Sequence, residues 1–262
     1  MHVVAIYDLD DDRQDRAGAL AEALGLTVFE ALSRLRSGSG PMIVGVFASQ
    51  DHAARLAGEI ESRGFHALVL TPAEIEKEAA SRTVRGFTLD AEALQAGSAE
   101  GESFSIAYQD VDLILRGMGI SSSTSKETTR KRSLSLGAAV LTGGLQMTKT
   151  TKTTREVTKE EREGFLIIYA GAGPAFAFHE NGLVYDSLGP ARALSRSANF
   201  VQLAAELRRR CSRARYDERL LNRAGLAALL GPSLGPEEHL IVATALLAKV
   251  LRGSGHRTAA GK

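Results

Sequence analysis

The chain has 262 residues, of which 44% are hydrophobic, and a net charge of +1. A chain of this length can bury one large core or two modest ones, so two domains are the default expectation. The single cysteine, Cys211, excludes an intramolecular disulfide and a cysteine-based zinc site, which favours a reducing compartment.

The balance of charge changes along the chain. The first hundred residues hold 9 Lys and Arg against 16 Asp and Glu, whereas the remainder hold 23 against 15. The amino terminus lacks the features of a secretory signal, and the longest apolar run, 239–251, is too short to span a bilayer and is interrupted by Lys249. We therefore expect a cytoplasmic protein with an acidic first domain and a basic second one.

Residues 1–72 have the pattern of a compact β-α-α-β-α-β domain. "HVVAIYD", "PMIVGVFA" and "HALVL" are typical of strands, and three amphipathic segments between them predict helices. Gly25 ends the first helix, Thr27 and Glu30 have the spacing of a capping box for the second, and Ser49 is the expected N-cap of the third.

This order resembles the ClpS adaptor and the carboxy-terminal domain of ribosomal protein L7/L12. The similarity is carried by "VVAIYD" followed by "ALAEALGLTVFEA", and by "IVGVF" leading into "AARLAGEIESRGFHALVL". A sporulation-related repeat shares the second half of this pattern and is a competing resemblance. The first resemblance implies a small α+β module that docks other proteins.

ClpS-like adaptors hold an amino-terminal amine with an Asn-Asp pair and a histidine. Asp8 matches the acidic group and is a candidate partner-binding residue, but Tyr7 and Ser37 stand where the resemblance calls for the asparagine and the histidine. Recognition of amino-terminal degradation signals is therefore not expected. Asp8, Asp10 and Asp12 also have the spacing of a calcium loop, yet the glycine and the distal glutamate of such a loop are missing, so we expect no metal site.

Residues 73–102 are rich in small and charged residues, and we predict a linker there, with a short helix over 72–80. Residues 103–216 are predicted to be β-rich, with a bend at Asp110 and one closing helix, arranged as a small sandwich or a partly open barrel. "IAYQDVDLI" and "NFVQLAAELRRR" resemble the start and end of bacterial pleckstrin-homology-like domains, which implies a binding platform. Residues 217–252 predict two helices, and 253–262 a flexible tail.

Two basic, threonine-rich stretches lie inside this second part, a loop at 121–132 and a strand at 148–160. Residues 121–162 carry 9 basic against 4 acidic side chains. Such a segment is either a solvated hairpin, whose lysines discourage aggregation, or a binding surface. The candidate partner-binding residues are Lys126, Arg130, Lys131, Arg132, Lys149, Lys152 and Arg155.

Enzymatic signatures are missing from the sequence. The glycines of "YAGAGP" lack the third glycine and the following helix of a dinucleotide loop, and no serine lies in a G-x-S-x-G elbow. Cys211 lies on the apolar stripe of an arginine-rich helix and is expected to be a small buried hydrophobe. We expect neither catalysis nor a cofactor.

The resulting hypothesis is an α+β, two-domain, non-enzymatic adaptor that binds a protein partner. The alternative is a peripheral binder of anionic membrane or nucleic acid through the Thr/Lys hairpin. A third option is that the acidic and basic domains pair with each other, within one chain or in a homo-oligomer.

Overall fold

A computed structural model describes residues 1–8, 13–36, 40–134, 148–235 and 239–257, with backbone alone for 13–15, 120–134, 148–161 and 254–257. The helices are α1 (Arg13–Leu24), α2 (Val28–Arg36), α3 (Gln50–Ser62), α4 (Pro72–Ala79), α5 (Arg196–Arg210), α6 (Arg223–Leu230) and α7 (Leu240–Arg257). The strands are β1 (His2–Tyr7), β2 (Met42–Phe47), β3 (His66–Leu70), β4 (Arg82–Leu89), β5 (Ala93–Ser98), β6 (Ser103–Ala107), β7 (Val111–Leu134), β8 (Thr148–Ala170), β9 (Phe176–His179) and β10 (Arg215–Leu220). The chain is therefore α+β, as predicted.

The chain divides into two compact units. One comprises Met1–Gly119 with Glu163–Lys262 and is called the main unit, and the other comprises Ile120–Arg162. Strands β7 and β8 contribute residues to both units.

The amino-terminal part of the main unit has the predicted β-α-α-β-α-β order. Its three strands form an antiparallel sheet in the order β2-β1-β3. Gly25 follows α1 with φ +63°, and the capping box of α2 is present, because the Thr27 amide donates to Glu30 and the Glu30 amide donates to the Thr27 hydroxyl. Ser49 is the N-cap of α3, but its side chain makes no capping hydrogen bond.

The prediction of a linker at 73–102 is wrong. Strands β4 and β5 lie there, and they belong to a seven-stranded sheet in the order β10-β7-β8-β9-β4-β5-β6. Only Val84, Phe87, Leu94 and Ala96 of these two strands are buried, so the apolar signal is sparse. The sheet ends at β6 and β10 rather than closing as the predicted sandwich or barrel would.

The two predicted domains are also not separate bodies, because both sheets share a hydrophobic core. Val3 and Ala5 of β1 lie in the same buried cluster as Leu113 and Leu115 of β7. Helices α6 and α7 supply much of that cluster, including Leu230 and Leu246. The boundary predicted at 73–102 therefore crosses one core instead of separating two.

Alternating residues of the central strands face different cores. Val4 and Ile6 pack with α1–α3, while Val3 and Ala5 pack with α6 and α7. In β8, Leu166 and Ile168 pack with α5, while Phe165, Ile167 and Tyr169 face α7. Because both faces are covered there, residues 3–6 of β1 and 165–170 of β8 are apolar at every position instead of at alternate ones.

The carboxy-terminal prediction requires two corrections. The segment predicted as helices begins with β10, which pairs parallel to β7, and α6 and α7 follow. Helix α7 continues to Arg257, so residues 253–257 are helical instead of a flexible tail, and 258–262 lie outside the described residues. The sequence "RYDERL" of β10 contains only Tyr216 and Leu220 as apolar residues, and of these only Leu220 is buried. The sequence therefore carried little signal for this strand.

Candidate interaction surfaces

The predicted basic residues lie on two neighbouring strands, which we call the basic strand pair (residues 120–134 of β7 and 148–162 of β8). Lys126 and Arg130–Arg132 belong to β7, and Lys149, Lys152 and Arg155 belong to β8. The two strands are adjacent in the sheet order. The stretch 121–132 is thus strand, not loop as predicted, and residues 135–147 lie outside the described residues.

The lengths of these strands set them apart. β7 has 24 residues and β8 has 23, whereas the other described strands have four to eight. Within the basic strand pair the sequence contains only Ile120, Leu134 and Val157 as apolar residues. A segment with so few apolar side chains cannot bury a hydrophobic core of its own.

The remaining predicted site residue, Asp8, belongs to the main unit. It is exposed, directly follows β1 and has φ +51°, the one positive φ of a described residue other than glycine. Tyr7 beside it stacks on His66 with ring centroids 5.6 Å apart. Ser37, Asp10 and Asp12 lie outside the described residues.

A second surface, which the sequence did not predict, is a cleft in the main unit at the end of α5. We call it the arginine cleft, and its volume is about 540 Å³. It lies where the turn between β4 and β5, the bend after β6 and the end of α5 meet. Its lining residues are Ala91, Glu92, Ala93, Ala107, Tyr108, Gln109, Arg210, Ser212 and Arg213.

Arg210 is held in position by three groups. Its Nε donates to Glu206 at 3.2 Å, its Nη1 donates to the main-chain oxygen of Asp90 at 2.6 Å, and its guanidinium lies 5.4 Å from the ring centre of Tyr108. Burial raises the pKa of Tyr108, whose hydroxyl donates to the same Asp90 oxygen. Tyr108 is therefore a neutral donor at physiological pH.

The neighbouring cations have different surroundings. Arg209 pairs with Glu206 at 2.7 Å, and Arg208 lies 4.7 Å from the ring centre of Tyr216. Cys211 is buried, as predicted, and burial raises the pKa of its thiol to about 11, so the thiol is protonated at neutral pH. The run "RRRCSRAR" signals positive charge, but only the fold shows which of its arginines line a cleft.

Among the residues whose side chains the structure describes, no group of three His, Cys, Asp or Glu is arranged to hold a metal ion. Within the same part of the chain, every helix is too short or too polar to cross a membrane. Comparison of the chain with protein-family models, with curated proteins and with solved structures found no match.

Proposed function

We propose that this protein is a non-enzymatic, cytoplasmic adaptor that binds a protein partner through the basic strand pair. The observation that carries the proposal is the existence of Ile120–Arg162 as a compact unit of its own, built on two long neighbouring strands. Its 9 basic against 4 acidic residues favour an acidic protein surface as the partner.

The energetics of a two-stranded segment support this proposal. A two-stranded hairpin is marginally stable by itself in water. A partner that covers its apolar side chains and pairs with its cations supplies the contacts that its own sequence lacks.

The amino-terminal part fits an adaptor as well. We propose a relationship of residues 1–72 to the ClpS and L7/L12-type modules, supported by the β-α-α-β-α-β order and the β2-β1-β3 sheet. For residues 103–216 we propose a binding platform of the pleckstrin-homology-like type. Asp8, exposed at the end of β1, is the candidate contact on the first module.

The experiment is partner capture from a lysate of the native source. Reversing the charges of three residues of β8 removes capture and leaves the melting temperature unchanged, because the three carry charge in a segment with almost no apolar content. The variant is Lys149→Glu, Lys152→Glu and Arg155→Glu. Capture at the level of the original protein contradicts the proposal.

A matched control makes the same change of net charge in the main unit. Three exposed cations there, on α3, α4 and α6, are reversed instead: Arg55→Glu, Lys77→Glu and Arg223→Glu. We expect this control to retain capture. Equal loss in both variants indicates an effect of net charge instead of a surface on the basic strand pair.

The charge of residues 121–162 also favours a second candidate, binding of anionic membrane or nucleic acid. The segment contains no aromatic residue, so it has no stacking platform for single-stranded nucleic acid. Retention on phosphatidylserine vesicles or duplex DNA that falls steeply with salt supports this candidate, and capture of a salt-resistant protein supports the first.

A further inference from the structure

We propose that the arginine cleft binds a small molecule through one phosphate or carboxylate group that bridges Arg210 and Arg213. The inference concerns the main unit and is independent of the basic strand pair.

The shape of the cleft provides the room. Three of its lining residues, Ala91, Ala93 and Ala107, have side chains that are single methyl groups and leave space in the cleft. Its volume of about 540 Å³ lies within the range of small-molecule sites. Three segments distant in sequence meet there, so the lining is held by the fold of the main unit.

Arg210 is a prepositioned cation. Contacts with Glu206, the Asp90 main-chain oxygen and the Tyr108 ring hold its guanidinium in one place. The hydrogen bonds to Glu206 and Asp90 use two of its five N–H donors and a contact with the Tyr108 hydroxyl uses a third, which leaves two for a ligand. Because the side chain is already ordered, a ligand gains the contact without the entropic cost of ordering it.

Arg213 provides the second cation. It is exposed, and among the described residues it has no hydrogen-bond or ion-pair partner. Ser212 adds an exposed hydroxyl from the same segment. Two guanidinium groups and a hydroxyl are the donors that phosphate and carboxylate oxygens prefer.

Glu92 narrows the class of ligand. It lines the same cleft from the turn before β5, is exposed, and carries a negative charge that disfavours a second anionic group. Its carboxylate accepts hydrogen bonds from hydroxyl or amino groups. The expected ligand therefore carries one phosphate or carboxylate together with hydroxyl or amino donors.

The test uses two probes with matched carbon skeletons, glycerol 3-phosphate and glycerate, titrated into the full chain and followed by amide NMR shifts. We expect saturable shifts at 91–93, 107–109 and 210–213 with at least one probe. The probe that binds more tightly identifies the anionic group as phosphate or as carboxylate.

Two variants separate a site from diffuse attraction. Arg213→Gln weakens binding about tenfold, as loss of a charge-assisted contact should. Arg209→Gln removes the same charge from the end of α5 but outside the cleft lining, and it changes binding by less than about twofold. Equal weakening by both variants, or no saturation by either probe up to about 50 mM, overturns the proposal.

Discussion

At the scale of single residues, Gly231 directly follows α6 and lies against strand β2 of the three-stranded sheet. Its φ is +65° and its ψ is −168°, a conformation that is essentially restricted to glycine. A β-carbon at this position would lie 2.5 Å from the main-chain oxygen of Ile43 in β2. Both the backbone conformation and the close approach of the two chain segments therefore require glycine.

We expect Gly231→Ala to reduce the free energy of unfolding by about 2 kcal/mol or more, because strain and a main-chain clash act together. The measurement is urea unfolding followed by circular dichroism. Gly18→Ala is the control, since nothing lies within 4 Å of a β-carbon there, inside α1. We expect the free energy of unfolding of this control to increase by up to about 1 kcal/mol, which is the difference in helix propensity between glycine and alanine. A loss in both variants contradicts the argument.

Half-buried Glu78 of α4 forms a pair with buried Tyr169 of β8. The Tyr169 hydroxyl donates to Glu78 at 2.6 Å, and Arg252 lies 5.2 Å from the centre of the tyrosine ring. Burial raises the pKa of Glu78 despite this hydrogen bond and the positive charges of Arg252 and Lys77. The folded state consequently retains a proton that the unfolded chain loses near pH 4.5.

The contribution of Glu78 to stability is therefore complete below pH 4.5 and falls as the pH rises through its folded-state pKa. The substitution Glu78→Gln introduces an amide that cannot ionise but whose oxygen can still accept from Tyr169. We expect the free energy of unfolding of the variant, relative to the original protein, to increase between pH 4.5 and 7. Parallel pH profiles in urea unfolding would show that ionisation of Glu78 has no cost.

At the scale of elements, the hydroxyl residues that precede α3 and α4 act differently. Thr71 and Glu74 form a complete capping box at the start of α4. Ser49 occupies the same position before α3, but its side chain makes no capping hydrogen bond. Glu74 also pairs with Lys249 of α7 at 2.6 Å, so the box at α4 is linked to another helix.

We expect Thr71→Ala to lower the free energy of unfolding by about 1 kcal/mol, because one amide at the start of α4 loses its hydrogen-bond acceptor. Ser49→Ala should cost less than about 0.5 kcal/mol, since no cap is lost. Thermal unfolding of the two variants under identical conditions measures the difference. Equal costs would mean that the capping hydrogen bond of Thr71 contributes nothing to stability.

At the scale of the whole molecule, the shared core decides which parts can fold separately. The cluster that contains Val3 and Ile43 also contains Leu113, Phe165 and Leu246. Strand β4 pairs with β9, so the segment before residue 100 and the segment after it complete one sheet. Binding between separated acidic and basic halves therefore tests reassembly of a core, not the pairing of two finished domains.

Fragments 1–95 and 100–262 should accordingly lack a cooperative unfolding transition when they are isolated. A chain in which an Asn-Gly turn replaces residues 121–161 should retain one, because the main unit keeps all of its buried cluster residues. Calorimetry of the three chains measures this. Cooperative unfolding of fragment 1–95 would contradict the shared core.

Local signals in the sequence predicted a large part of the fold. The order of the first six elements, the ends of α1 and α4, the bend before β7 and the burial of Cys211 follow from periodicity, caps and turn residues. The segment 82–98 was predicted incorrectly because its strands have exposed faces with small and charged residues. Lys249 interrupted an apolar run in the sequence, and the fold explains it, since its amine donates to the Val69 main-chain oxygen and to Glu74.

The sequence by itself determined the fold class, most helices, the charge asymmetry and the basic character of residues 121–162. Only the tertiary structure decided that two sheets share one core, that β10 joins β7, and that Arg210 and Arg213 line a cleft. The physical reason is distance along the chain. Caps and periodicity depend on residues within a few positions of one another, whereas Arg210 contacts a residue 120 positions away and Arg252 one 140 positions away.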